Sequence, residues 1–257
     1  MIKRLLSHPL TRGMDLDAPE TIALRRRIIQ QKPFLKQIYE EWYLSIASAL
    51  PLTTCGPILE LGTGAGYLKH YIPSLITSEV FHVEDVDVII DGLNLPFQNA
   101  SLNAIVMTNV FHHLHDPRSF FKEAARCVRP HGVVIMIEPW VTPWSRWVYS
   151  LFHNEPFRPE SIYWEITGHG PLTSANGALP WIIFHRDRKQ FETEFPEWMI
   201  LGITPTMPFR YLISGGVSMR NLMPGWSFKF WHRLETAFTP WMNNLAMFAQ
   251  IVIQLRN

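Results

Sequence analysis

The chain is short of charge, short of cysteine and without a clean apolar run of membrane length, and each shortage removes a class of function. Charged residues are 18% of 257, with 23 Lys and Arg against 22 Asp and Glu, where an average globular chain carries roughly 25%. A formal charge of +1 leaves no clustered cationic surface of the kind sequence-independent nucleic-acid binding needs. Arg25-Arg26-Arg27 is the one basic cluster, and on a helix its side chains point three ways. Nucleic acid is therefore not an expected partner. The two cysteines, Cys55 and Cys127, suit a reducing, cytoplasmic setting in which both thiols pack as small hydrophobes. A secretory leader is not expected, because the apolar stretch after Ile2-Lys3-Arg4 is broken by His8 and Pro9. From Thr236 to Leu255 no residue is charged, but Pro240, Asn243, Asn244, Gln250 and Gln254 interrupt the run. A transmembrane helix is rejected there, while contact with a membrane surface stays open.

What the chain has in quantity is aromatic: 10 Trp, 16 Phe and 7 Tyr, concentrated after residue 138. At roughly 150 residues per domain the length allows one elaborated domain or two small ones. The reading here is one domain over 1–257, made of N-terminal helices (1–55), a cofactor-binding core (56–140) and a substrate-side elaboration with closing strands (141–257).

Asp17 is placed to cap a helix starting near Pro19 and ended by Pro33, and a second helix runs from Phe34 to Ala49 on Leu35, Ile38, Trp42, Tyr43 and Ile46. The period then changes. Ile58-Leu59-Glu60-Leu61 reads as a buried strand running into Gly62-Thr63-Gly64-Ala65-Gly66, with a short helix over Tyr67 to Tyr71. Further strands are predicted at Leu75–Val80, Val86–Ile90, Ala104–Thr108 and Val133–Ile137, with a helix from Pro117 to Val128 capped by Asp116. A helix at Ser145–Phe152 and closing strands at Trp198–Thr204 and Phe248–Leu255 follow, with an insertion between the last two. Strands alternating with helices predict a Rossmann-like, doubly wound, mostly parallel α/β sheet with helices on both faces, its site at the carboxyl edge.

The glycine loop departs from the dinucleotide fingerprint G-x-G-x-x-G/A, because Tyr67 stands where the third small residue belongs. An acid, Glu60, lies two residues before the first glycine. A carboxylate there sits poorly beside a pyrophosphate and suits a ligand that carries an ammonium and a sulfonium. Spacing and charge both favour S-adenosylmethionine over NAD.

At this point the sequence resembles the class I S-adenosylmethionine-dependent methyltransferases. Glu60 to Gly66 is similar to their first motif, Asp91-Gly92-Leu93-Asn94-Leu95-Pro96-Phe97 to the Asp-x-x-x-Leu-Pro-Phe after the third strand, and His112-His113-Leu114-His115-Asp116-Pro117 to the loop after the fourth; Val128-Arg129-Pro130-His131-Gly132 completes the series. The likeness covers roughly residues 56 to 140. It implies that Gly62, Thr63, Gly64 and Gly66 meet the methionine half of the cofactor. It further implies that an acid at the end of the second strand holds the ribose hydroxyls, with Glu79 chosen and Glu84 and Asp85 as alternatives. Asp91 would take the adenine amino group while Gly92 and Leu93 flank the ring, and Thr108 and Asn109 would lie near the reacting end. Three departures stand out: Phe81 to Asp85 is too short for a crossover helix, Asn103 replaces a common Asp, and His131 replaces a common Gly.

His112 and His113 are the candidate catalytic residues, since a histidine beside the transferred methyl can remove a proton from an acceptor. Metal binding is not expected, because no acid or cysteine at ligand spacing accompanies them apart from Asp116. The expected reaction is methyl transfer to a small, apolar acceptor, with at least two of Trp140, Trp144, Trp147, Trp181, Trp226, Trp231 and Trp241 in the wall of its pocket. The other reading is a non-catalytic cofactor-binding module whose aromatic half contacts a protein or membrane partner. Oligomeric state is left open.

Overall fold

A computed structural model describes residues 8, 10, 17–51, 56–64, 66–152, 155–168, 170 and 173–257. Cys55, Ala65 and the stretch after Ile2 used to judge a leader lie outside them. Two helices, α1 (Glu20–Gln31) and α2 (Pro33–Ala49), precede the sheet. Pro33 does not merely end α1; it opens α2 at its first turn, where a missing N–H costs nothing. Asp17 is not the N-cap: Pro19 holds that position, and the Asp17 carboxylate accepts from the Thr173 backbone and hydroxyl.

The sheet has seven strands: β1 (Ile58–Leu61), β2 (Leu75–Glu79), β3 (Val88–Ile89), β4 (Leu102–Thr108), β5 (Val128–Pro139), β6 (Trp198–Thr206) and β7 (Phe248–Leu255). Their order is β3-β2-β1-β4-β5-β7-β6, and β7 alone runs antiparallel to both of its neighbours. This is the Rossmann-like, mostly parallel sheet the alternation predicted, and the β1–β4 crossing puts a switch point beside the glycine loop. Buried residues fill both faces, as a parallel sheet requires. α3 (Pro117–Cys127) begins where Asp116 accepts the Ser119 N–H, at 3.1 Å.

The link between β2 and β3 contains no helix, as its length implied. Asp87 does that work instead, accepting from the Thr77 N–H (2.9 Å), the Thr77 hydroxyl (2.9 Å) and Lys69 (2.8 Å). Lys69, with the Thr77 bonds, holds its carboxyl down at about 2. His131 sits at φ +64°, a left-handed turn that accounts for the glycine usual at this place.

α4 (Pro143–Phe152) and α5 (Arg188–Glu194) flank the C-terminal half of the sheet, and the insertion before β7 carries α6 (Arg210–Ser214) and α7 (Phe228–Ala237). Hydrogen bonds from Lys32 and an Arg210–Glu41 ion pair clamp this insertion to the N-terminal helices. Lys32 donates to the carbonyls of Ser214, Gly216 and Met219, and Arg210 reaches both Glu41 and Glu235. Burial pulls Lys32 down to about 8. Together α1, α2 and the insertion roof the carboxyl edge of the sheet.

Candidate active-site cleft

A cleft of about 880 Å³ lies under that roof, lined by the glycine loop, the tips of β2 and β4, α1, α2 and the insertion. Ligand sites usually run from roughly 300 to 1,000 Å³, so this one has room for a cofactor and a second molecule.

The loop is drawn tight by its own backbone. Gly62 and Gly64 have φ of +65° and +44°, Thr63 N–H donates to the Ser78 carbonyl at 2.9 Å, and Gly66 N–H to the Thr63 carbonyl at 2.9 Å. A Cβ on Gly62 would strike Val110 at 2.5 Å, whereas one on Gly64 would meet only the Gly62 carbonyl at 3.6 Å and otherwise project into open space. The two glycines therefore serve different ends: the first lets β1 pack against the β4 loop, the second leaves the cleft wall bare.

Glu79 ends β2 in the cleft wall, where its Oε1 accepts the Gly64 N–H at 2.8 Å. Burial raises its pKa against the pull of the Gly64 and Val80 amides and of Arg26. Glu84 and Asp85 are outside the lining; the Asp85 side chain is 90% exposed. Asp91, Gly92 and Leu93 line the cleft, and Asp91 accepts the Leu93 N–H at 3.0 Å. Thr108 and Asn109 line it from β4, the Thr108 hydroxyl buried with no partner and Asn109 held at φ +56°.

Two of the expected contacts sit elsewhere. Glu60 is buried beneath the loop, outside the cleft lining, where its Oε2 accepts the Thr63 hydroxyl at 3.1 Å. Burial pushes its pKa up to about 8, so it is a loop support that carries a proton near neutrality. Gly66 also lies outside the lining, covered by the Arg26 guanidinium, which a Cβ there would hit at 2.4 Å. Arg26 Nε and Nη2 are buried with no hydrogen-bond partner, and Arg25 lines the cleft beside them in sequence. Sequence reading passed over both arginines because a run of three on a helix scatters its charges; only the way α1 leans on the glycine loop selects two of them.

His112 and His113 both line the cleft. His112 Nδ1 lies 2.6 Å from Glu138 Oε2, Glu138 Oε1 accepts the N–H groups of Val110 and Phe111 at 2.8 Å, and His112 Nε2 faces Glu155 Oε2 at 3.4 Å. Burial drives the His112 pKa down, but the two carboxylates outweigh it and raise it to about 9. His113 is supported more weakly: burial and the adjoining His112 push it down to about 3 against the pull of Glu155 and the Ser174 carbonyl. Sequence spacing offered only Asp116 beside the histidines, whereas the fold brings Glu138 and Glu155 to His112. Glu155 lies in a different part of the chain, so no local spacing announced it, and Glu138 is the acid at the end of β5.

The tryptophan expectation fails. None of Trp140, Trp144, Trp147, Trp181, Trp226, Trp231 and Trp241 lines the cleft. Trp140 is core, Trp144 stacks on Trp147 and donates to the Pro208 carbonyl, and Trp226 and Trp241 are 85% and 54% exposed. The aromatic walls are Tyr39, Tyr43, Phe81, Tyr149, Phe152, Tyr211 and Phe248. Among the described residues no helix is long and apolar enough to cross a membrane.

Residues 59–136 match the family described as methyltransferase domain. Malonyl-[acyl-carrier protein] O-methyltransferase of Hahella chejuensis is 29% identical over 96 residues, which are 30% of this chain and 34% of that protein, so the match spans about a third of the relative's length. Among solved structures, the complex between the Haloferax volcanii Trm112 methyltransferase activator and the putative methyltransferase aligns with TM-score 0.52 at 10% identity, over 94% of this chain and 96% of that one. Geranyl diphosphate C-methyltransferase from Streptomyces coelicolor A3(2), bound to Mg2+, geranyl diphosphate and S-adenosyl-L-homocysteine, aligns with TM-score 0.50 at 12% identity, over 98% and 92%. The fold is the Rossmann-like fold seen in these methyltransferase structures, and the stretch with the glycine loop matches the methyltransferase domain family.

Proposed function

We propose that this protein transfers a methyl group from S-adenosylmethionine to a small acceptor with a largely apolar body. The observation that carries the reading is the bare Gly64 backbone, tied to Glu79 at the head of a cleft large enough for two molecules. The residues present fit the cofactor: Thr108, its hydroxyl buried without a hydrogen-bond partner, lines the site, and orphaned guanidinium nitrogens of Arg26 lie against the loop that would hold a methionine carboxylate.

In this reading Gly62, Thr63 and Gly64 bind the methionine half, Glu79 the ribose, and Asp91, Gly92 and Leu93 the adenine. Thr108 and Asn109 stand at the reacting end beside His112 and His113. The cofactor supplies an electrophilic methyl on a sulfonium. The chain's part is to hold the acceptor in line with it and to keep water out, which α1, α2 and the insertion do by roofing the cleft. His113 is uncharged at neutral pH and free to take a proton, but with its pKa pushed down to about 3 it is a weak base; His112 is already protonated between two carboxylates. The acceptor's apolar body follows from Ile22, Leu24, Ile29, Phe152, Leu212, Met247 and Phe248 in the wall.

Calorimetry should show S-adenosylhomocysteine binding and no NAD binding; NAD binding alone would overturn the reading. Glu79→Ala should weaken cofactor binding by about 1.5–3 kcal/mol, the range for hydrogen bonds to a charged group, with Glu84→Ala and Asp85→Ala unchanged because neither side chain reaches the cleft. One observation favours the other reading, a binding module that touches another body: Trp226, Phe230 and Trp241 are 85%, 64% and 54% exposed on the insertion. Release of S-adenosylhomocysteine from S-adenosylmethionine with any acceptor decides between the two.

A further inference from the structure

His112 and His113 stand side by side with ring centroids 4.2 Å apart, and Glu155 reaches them from the segment after α4. One ligand atom from each of the three lies within 4.8 Å of the other two. Both imidazoles are anchored the same way. His112 turns Nδ1 to the Glu138 carboxylate at 2.6 Å, and His113 turns Nδ1 to the Ser174 carbonyl at 3.4 Å. A carbonyl oxygen only accepts, so His113 Nδ1 carries the proton and its Nε2 keeps the lone pair. His112 Nε2 faces Glu155 at 3.4 Å.

An imidazole fixed through Nδ1 by a carboxylate that is itself held by backbone amides is how metal-ligating histidines are oriented. Glu138 meets that description through its bonds from Val110 and Phe111. Two nitrogens and one carboxylate leave further coordination positions unfilled, and all three residues line the cleft, so those positions face its interior. A set of this kind suits zinc, iron, cobalt or manganese, whereas Mg2+ and Ca2+ prefer all-oxygen shells.

We propose that His112, His113 and Glu155 form a binding site for one divalent transition-metal cation in the wall of the cleft. The cation takes the place of the second proton that Glu138 and Glu155 otherwise hold on His112. The site stands on its own geometry and does not depend on methyl transfer.

The test uses the whole chain, stripped with a chelator, dialysed and titrated with Zn2+ and with Co2+. One equivalent should bind with micromolar or tighter affinity, the bound Co2+ should show visible absorption bands, and Mg2+ should give no comparable binding. His113→Ala and Glu155→Ala should each weaken Zn2+ binding at least tenfold and shift the Co2+ spectrum, with circular dichroism and thermal midpoint reporting that both variants fold. No binding by the folded wild-type chain overturns the proposal. So does equal affinity in both variants, which would place the ion elsewhere, or a preference for Mg2+. Wild-type S-adenosylhomocysteine binding, measured in parallel, reports on the methyltransferase reading alone.

Discussion

Gly64→Val should abolish cofactor binding while leaving the protein folded. The two effects separate because of where the Cβ would go. At φ +44° a branched residue is strained, at a cost of about 1–2 kcal/mol to stability, but its Cβ meets no part of the protein closer than the Gly62 carbonyl at 3.6 Å. The added methyls would fill the space over the loop, and they would tilt the N–H that Glu79 now holds at 2.8 Å. A loss beyond about a hundredfold in S-adenosylhomocysteine affinity, or roughly 2.7 kcal/mol, is expected by calorimetry, with a cooperative melt retained. Gly62→Val gives the contrast: its Cβ would sit 2.5 Å from Val110, so that variant should lose stability before it loses affinity. Unchanged affinity in Gly64→Val would remove the loop from the site.

That contrast shows how far the sequence could be read. Strand, glycine loop and the acid near the end of β2 are local in sequence, and they narrowed that acid to Glu79, Glu84 or Asp85; the strand, expected to reach Val80, ends at Glu79, which puts that carboxylate at the sheet's carboxyl edge. Phe248–Leu255 was legible as a strand. Glu60 was read by proximity to the glycines, but side chains alternate along a strand, and its face of β1 turns away from the cleft. What the sequence hid depends on tertiary approach. Arg26 matters because α1 crosses the loop, and Glu155 because the segment after α4 folds back over the β4 loop. The tryptophans misled because aromatic abundance has several uses, and here it serves core packing and an exposed face of the insertion while tyrosines and phenylalanines line the cleft.

Glu138→Gln should be among the most destabilising conservative changes in the chain, and its cost should depend on pH. The amide keeps the volume and can still accept the Val110 and Phe111 N–H groups, but it withdraws the charge that holds the proton on His112. A rise in the His112 pKa from 6.5 to about 9, at about 1.36 kcal/mol per unit, corresponds to about 3 kcal/mol. Because the folded pKa lies above the unfolded one, this stabilisation is fully present below about pH 6.5 and is lost as pH rises through about 9. Other groups bend the same curve: Glu60, raised to about 8, removes stability as pH rises from 4.5 toward 8, and Lys32, lowered to about 8, restores some between 8 and 10.5. Those groups are common to both proteins, so the difference between wild type and Glu138→Gln isolates the histidine. Urea denaturation of the chelator-stripped proteins should give a gap near 3 kcal/mol at pH 6 that closes toward zero by about pH 9.5. A gap that stays constant over that range would mean that Glu138 acts by filling space and accepting backbone hydrogen bonds, with no charge held on His112.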